Sequence, residues 1–155
     1  KTKWQSEKII ILSCNKKNIP VISLRLFNVY GPRSKVSGSY SAVMSVFLKQ
    51  KISNKPLTIV GSGLQTRSFI HVYDVVKAFI KASKSKIKNE IFNVGSQKSI
   101  TIIKIAKLFN NKHIHIAKRP GEPKYSSANI SKIKAKLKWH PKISIKRGIS
   151  MLLKS

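Results

Sequence analysis

The stretch from Val21 to Tyr30 constrains this chain more than any other: it is rich in Val, Ile, Leu and Phe and stops at Gly31-Pro32. Its apolar residues run on instead of alternating with polar ones, the pattern of a strand covered on both faces, as in a parallel sheet. Parallel strands need long crossovers, commonly helical. Helical patterns do flank it. Lys1 to Cys14 sets Trp4, Ile9, Ile10, Ile11, Leu12 and Cys14 among charges, as a helix already under way, and Asn18 and Pro20 break it before the strand.

Downstream, the apolar period switches repeatedly between two and 3.6, which predicts an α/β chain. A polar loop with Ser34, Ser37, Gly38 and Ser39 leads to a helix over 42–51. Pro56 precedes a strand at Leu57 to Val60, Gly61-Ser62-Gly63 turns the chain, and Arg67 to His71 reads as one strand. Val72, Val75, Val76, Phe79 and Ile80 mark one face of a helix. A strand at Ile91 to Val94 ends at Gly95, Ser99 or Thr101 caps a helix carrying Ile102, Ile103, Ala106 and Phe109, and His113 to Ile116 is a further short strand. Helices near Ser131 to Leu137 and over Ile145 to Leu153 close the chain.

At 155 residues the chain has the length of one ordinary domain. Its net charge of +28 invites phosphate-rich partners. Two observations argue against nucleic acid. Only Arg25, Arg33, Arg67, Arg119 and Arg147 of the 32 basic residues are arginine, and the lysines are scattered without interleaved stacking aromatics. Net charge speaks to association and solubility rather than to fold or chemistry. The longest apolar run, Ile9 to Leu12, is far short of the about 20 residues of a membrane span. The single cysteine, Cys14, forms no internal disulfide and reads as a small buried thiol, which fits a reducing cytoplasm.

Ligands of open parallel sheets bind beyond the carboxyl ends of the strands, so Asn28, Tyr30, Gly31 and Arg33 are the first candidates. Arg67 and Arg119 lie in Gly- and Pro-marked segments, and loop arginines can grip a diphosphate with two parallel hydrogen bonds. Glu7, Asp74, Glu90 and Glu122 are the only acids against 32 basic residues, so most of the cations have no internal carboxylate to neutralise them, which favours an anionic ligand. His113 and His115 share a strand face, but no neighbouring Cys, Asp or Glu completes a metal site. His71 reads as a structural histidine, His140 as exposed, and Trp4 and Trp139 as packing residues. Tyr40 and Tyr125 either line a pocket or flank a loop.

Four segments, Thr2-Lys3-Trp4-Gln5-Ser6-Glu7, Arg25 through Arg33, Gln65 through Val72, and Arg119-Pro120-Gly121-Glu122 followed by Ser131-Lys132, together resemble one family. It is the extended short-chain dehydrogenase/reductase group of NAD-dependent nucleotide-sugar epimerases and dehydratases, with UDP-glucose 4-epimerase-like members most similar. The resemblance implies a doubly wound Rossmann-like sheet: residues 1–31 would be a remnant of the cofactor domain, rejoined by the strand near 91–94, and 32–155 mainly the substrate domain. Lys3 looks like the lysine that follows a catalytic tyrosine by four residues, which places that tyrosine and the glycine-rich NAD loop ahead of Lys1.

In similar enzymes this lysine favours the phenolate and holds the nicotinamide ribose, while hydride passes to NAD and a 4-keto sugar forms. The resemblance assigns NAD contacts to Lys3, Asn28, Val29 and Tyr30. It assigns a UDP-sugar's diphosphate to Asn28, Arg67 and Arg119, a ribose hydroxyl to Glu122, and the base to Val43, Thr58 and Val60. Ser45, Ser62, Ser68, Tyr73 and Asn129 depart from residues common in relatives, and Arg67-Ser68-Phe69 also resembles members that decarboxylate UDP-glucuronate. The sequence therefore predicts the carboxyl-terminal half of a cytoplasmic 4-epimerase, of a family that often forms homodimers. That half is expected to be inactive alone, with a dehydratase or UDP-glucuronate decarboxylase as the alternative within the family and a basic nucleic-acid-binding module as the alternative of another class.

Overall fold

A computed structural model of the chain describes residues 2–34, 43–118 and 120–154. Arg119, Tyr40 and the serines and glycine at 37–39 lie outside the described residues. The first half contains α1 (Thr2–Lys16), β1 (Ile22–Leu26), β2 (Val29–Tyr30), α2 (Val43–Ile52), β3 (Leu57–Val60), β4 (Thr66–Ser68), β5 (Ile70–His71) and α3 (Val72–Ser83). The second contains β6 (Glu90–Val94), β7 (Ser99–Thr101), α4 (Ile102–Phe109), β8 (His113–Ile116), α5 (Ser131–Leu137) and α6 (Ile145–Leu152). The fold is α/β, with parallel pairs β1–β6, β2–β5 and β3–β8 and an antiparallel pair β4–β7.

Two expected single strands are each divided. Val21 to Tyr30 forms β1 and β2, because Asn28 takes a left-handed backbone (φ 36°) that no strand continues through. β1 pairs with β6, and after the break β2 pairs with β5 instead. Arg67 to His71 divides at Phe69 in the same way, β4 pairing with β7 and β5 with β2. β1 is also less covered than its apolar run predicts. Its first three residues are half-buried and Arg25 and Leu26 are exposed, since β6 is its one strand neighbour among the described residues.

Two apolar cores hold the molecule. The first joins Met44 and Phe47 of α2, Leu57 and Ile59 of β3, Ile105 and Phe109 of α4, and Ile149 of α6. Phe47 and Phe109 meet edge to face at 5.7 Å. α4 forms because Ile102, Ile105, Ala106 and Phe109 fall at helical spacing on one face. Thr101 caps it by accepting from Lys104 N, and Asn110 ends it in the left-handed region.

The second core gathers Ile70, Val75, Ala78, Phe92, Val94, Ile133 and Trp139. The Trp139 indole donates to the Asp74 carbonyl at 3.2 Å. The Asp74 carboxylate accepts from the backbone N–H groups of Lys142 and Ile143 at 3.0 and 2.8 Å. One buried acid thereby ties the tail to α3.

α1 belongs to neither core and has no buried residue. Trp4, expected to pack, is 55% exposed with the Lys8 ammonium over its ring, and Cys14 is half-buried. The helix is tethered by Glu7, which accepts from Arg25 Nε and Nη2 at 2.9 and 2.6 Å and from Ser23 Oγ at 2.8 Å. The hydrogen bond from Arg25 holds the Glu7 carboxyl below its usual range. No helix of the described residues is long and apolar enough to cross a membrane.

Candidate functional site

The two strand breaks meet. Asn28 Nδ2 donates to the Ser68 carbonyl at 2.9 Å, and Ile70 N donates to the Asn28 carbonyl at 3.3 Å. Ser68, fully buried, donates through Oγ to the Ser96 carbonyl at 2.5 Å and accepts from Ser96 N at 3.1 Å. Three segments are thus fastened together just past the carboxyl ends of the parallel strands β1 and β6. This is where strands change partners, the position at which open α/β sheets bind ligands.

A cavity of about 200 Å³ opens there. Asn28, Val29, Val43, Thr58, Val60, Arg67 and Glu122, all candidates from the sequence, line it together. Gln65 and Phe69 also line it, although the sequence does not mark them as candidates. Gln65 donates to the Val60 carbonyl at 2.9 Å and fixes the end of β3, and the Gln65-Thr66-Arg67 run carries that signal. Thr58 is bound on both its backbone N–H and its hydroxyl by the Gln50 amide.

The charge in this cavity is paired. Arg67 Nη2 donates to Glu122 Oε1 at 3.0 Å, and Arg67 Nη1 donates to its neighbour's carbonyl, that of Thr66, at 2.8 Å. The scarcity of acids therefore does not leave Arg67 unneutralised, nor Arg25, which Glu7 engages. Glu90 is likewise committed: hydrogen bonds from Lys132, at 2.5 Å, and Lys136 lower its carboxyl to about 2.

Among the described residues, the other candidates do not line the cavity. Tyr30 is buried in the first core, its ring edge-on to Phe69 and His71, so only its backbone can meet a ligand. Burial, with the nearby Asp74 charge, pushes its phenol above the ordinary value. His71 is buried and accepts from Tyr73 N through Nδ1 at the start of α3, and burial lowers its imidazole below the ordinary value. Lys3 is exposed on α1, one turn before Glu7 on the same helix face. Because α1 runs back against β1, that turn lies toward the carboxyl end of β1. Arg119 lies outside the described residues, directly before the segment that carries Glu122.

His113 and His115 sit side by side and exposed on β8, with His115 Nδ1 2.7 Å from the Gly61 carbonyl. Among the described residues no group of three or more His, Cys, Asp or Glu is placed to hold a metal ion.

A site at a strand switch point on a parallel α/β framework agrees with what the chain matches. The model of the NAD dependent epimerase/dehydratase family matches residues 1–95, and the chain belongs to that family. It is 32% identical over 156 residues to an uncharacterized UDP-glucose epimerase of Bacillus subtilis, covering 96% of this chain and 48% of the relative. It is 30% identical over 158 residues to the UDP-N-acetyl-alpha-D-glucosaminuronate decarboxylase of Bacillus cytotoxicus, covering 92% of this chain and 48% of the relative. Among solved structures, the UDP-glucose 4-epimerase of Thermotoga maritima with UDP-glucose superposes with a TM-score of 0.91 at 28% identity, over 98% of this chain and 50% of that one. The fold is thus Rossmann-like and the family's cofactor is NAD. The chain spans about half the length of the curated relatives it matches.

Proposed function

We propose that this chain supplies the nucleotide-sugar-gripping half of an NAD-dependent 4-epimerase acting on a UDP-hexose. The observation that carries the reading is the meeting of seven candidates from separate segments on one cavity at a strand switch point. In this reading Asn28 and Arg67, with Arg119 from the adjoining segment, hold the diphosphate. Guanidinium groups suit this work because their planar N–H donors match phosphate oxygens in pairs. Glu122 accepts from a ribose hydroxyl, and Val43, Thr58 and Val60 frame the base.

The residues present fit only the nicotinamide end of the cofactor. Val29 is half-buried at the cavity and offers its backbone, and Lys3 offers an exposed ammonium, whereas none of the seven glycines forms a G-x-G-x-x-G run. NAD bound there would supply a reversible hydride acceptor. Lys3 acts electrostatically. Its charge would favour the phenolate of the tyrosine that similar enzymes carry four residues before this lysine, bringing a group of ordinary pKa about 10 within reach of neutral pH. Residues 1–31 then belong to a cofactor domain that β6 rejoins, and 32–155 mainly to a substrate domain. The lone cysteine suits the cytoplasm, and pairing of two copies through α1 is the oligomer this reading favours.

The alternative within the family is decarboxylation of a UDP-uronate. Ser68, in the Arg67-Ser68-Phe69 run, and the Bacillus cytotoxicus relative support it. The test has two arms. The isolated chain is expected to bind UDP and to lose that binding in Arg67→Glu; unchanged binding sinks the site. Joined to a cofactor-binding half, it is expected to interconvert UDP-glucose and UDP-galactose, and release of carbon dioxide from UDP-glucuronate would establish the alternative instead.

A further inference from the structure

The arginine assigned to a diphosphate is already engaged by a carboxylate. Arg67 and Glu122 both line the cavity, both are mostly buried (side chains 14% and 28% exposed), and they lie 3.0 Å apart within it. A ligand phosphate and the Glu122 carboxylate would compete for the same N–H groups, and both cannot be satisfied there without strong repulsion between anions.

Glu122 has somewhere else to go. A second cavity, of about 190 Å³, adjoins the first and shares Val60, Gln65 and Glu122 with it. Lys118 and Lys124 line it, and neither lines the first. Glu122 therefore stands between two compartments with cations on either side. The segment bearing it is stitched to β4 by Thr66 N donating to the Lys124 carbonyl at 2.9 Å and Ser126 N donating to the Thr66 carbonyl at 3.2 Å. Just before Glu122, Gly121 has a left-handed backbone (φ +73°) with open space around it, so the chain can pivot there while the stitches hold. Size points the same way. Ligand sites generally enclose about 300–1,000 Å³, which neither compartment reaches alone and the two joined do.

We infer that Glu122 is an internal stand-in for a ligand phosphate: it holds Arg67 until a nucleoside diphosphate arrives, then yields the guanidinium and turns toward Lys118 and Lys124, joining the two compartments. This rests on the proposed diphosphate site and adds a second role for Glu122 beside the ribose contact. The latch keeps Arg67 pre-positioned and its charge balanced, and it subtracts from diphosphate affinity what the internal pair contributes.

The test compares UDP with uridine by isothermal titration on the 155-residue chain at fixed ionic strength. Uridine carries the base and ribose without the competing phosphates. Glu122→Gln keeps the shape and a hydrogen-bonding carbonyl while removing the charge. It is expected to tighten UDP about two- to fivefold, the upper range of a surface ion pair, without tightening uridine. Glu122→Asp, which keeps the charge on a shorter stem, is expected to shift UDP in the same direction by less and serves if the first variant does not fold. A UDP affinity that is unchanged, or that falls in step with uridine, overturns the latch and leaves Glu122 a plain ribose ligand. If the unaltered chain binds UDP no better than uridine, the diphosphate site itself falls, and the latch with it.

Discussion

Phe47 and Phe109 meet in a core where both rings are fully buried, whereas α1, which also carries large apolar residues, buries none of them. The difference separates the residues proposed to grip the nucleotide from the one proposed to serve catalysis. Arg67, Asn28 and Thr58 sit on strands and links braced by the two cores and by side-chain hydrogen bonds, so this chain's own packing positions them. Lys3 sits on a helix held to β1 through the hydrogen bonds of Glu7. The geometry of the cavity lining is set by this chain's own contacts. The placement of Lys3 rests on far fewer contacts.

Substitutions on the two sides should differ by about an order of magnitude. Phe109→Ala leaves a ring-sized void against Phe47 and is expected to cost about 3–5 kcal/mol in urea unfolding. A loss under about 1 kcal/mol would mean that the first core is loose. Next comes Gly148→Ala on α6, where an added Cβ would lie 1.9 Å from the Tyr30 hydroxyl oxygen. Tyr30 is buried and cannot swing away, so an overpacking cost of about 1–3 kcal/mol is expected, partly recovered when Tyr30→Phe is added. Strict additivity of the two changes would show that they do not collide. The smallest effect belongs to α1: Ile9, 63% exposed, should tolerate Ile9→Ala within about 0.5 kcal/mol. A larger loss would show that α1 is packed in solution.

Much of the fold is legible in the sequence because period reports burial. The α4 stripe, the β3 run and the Thr101 cap can all be read from local pattern. At α3 and β8 the pattern gives the element but not its burial: Val76, Phe79 and Ile80 are exposed while Val75, Ala78 and Ala82 face the core, and β8 is exposed along its length. The strand breaks cannot. Val21 to Tyr30 is largely apolar, and nothing local to Phe27-Asn28 says that pairing passes from β6 to β5 there. β7, which pairs with β4 at Ser99–Thr101, reads in the sequence only as a capping stretch, since a three-residue strand has too few side chains to display a period. The exposure of Trp4 escapes sequence reasoning for a related reason: an apolar helix face reveals that it suits burial, not whether anything covers it.

The candidate site divides the same way. Its chemistry is legible residue by residue, in Asn28 after a buried strand, in loop arginines and in a glutamate after Pro-Gly. The Arg67–Glu122 pair is not, because residues so far apart in sequence become neighbours only once β4 and the segment after β8 are stitched together.

By itself the sequence determined the α/β class, the order of the helices, and the residue types able to hold a phosphate or a ribose, because these follow from local period and side-chain chemistry. Only the tertiary structure decided that Asn28, Arg67, Thr58 and Glu122 share one cavity, that Tyr30 turns into the core, and that the site's arginine already holds a carboxylate. Those outcomes depend on which strand pairs with which, and pairing is settled by the joint burial of residues distant in the chain.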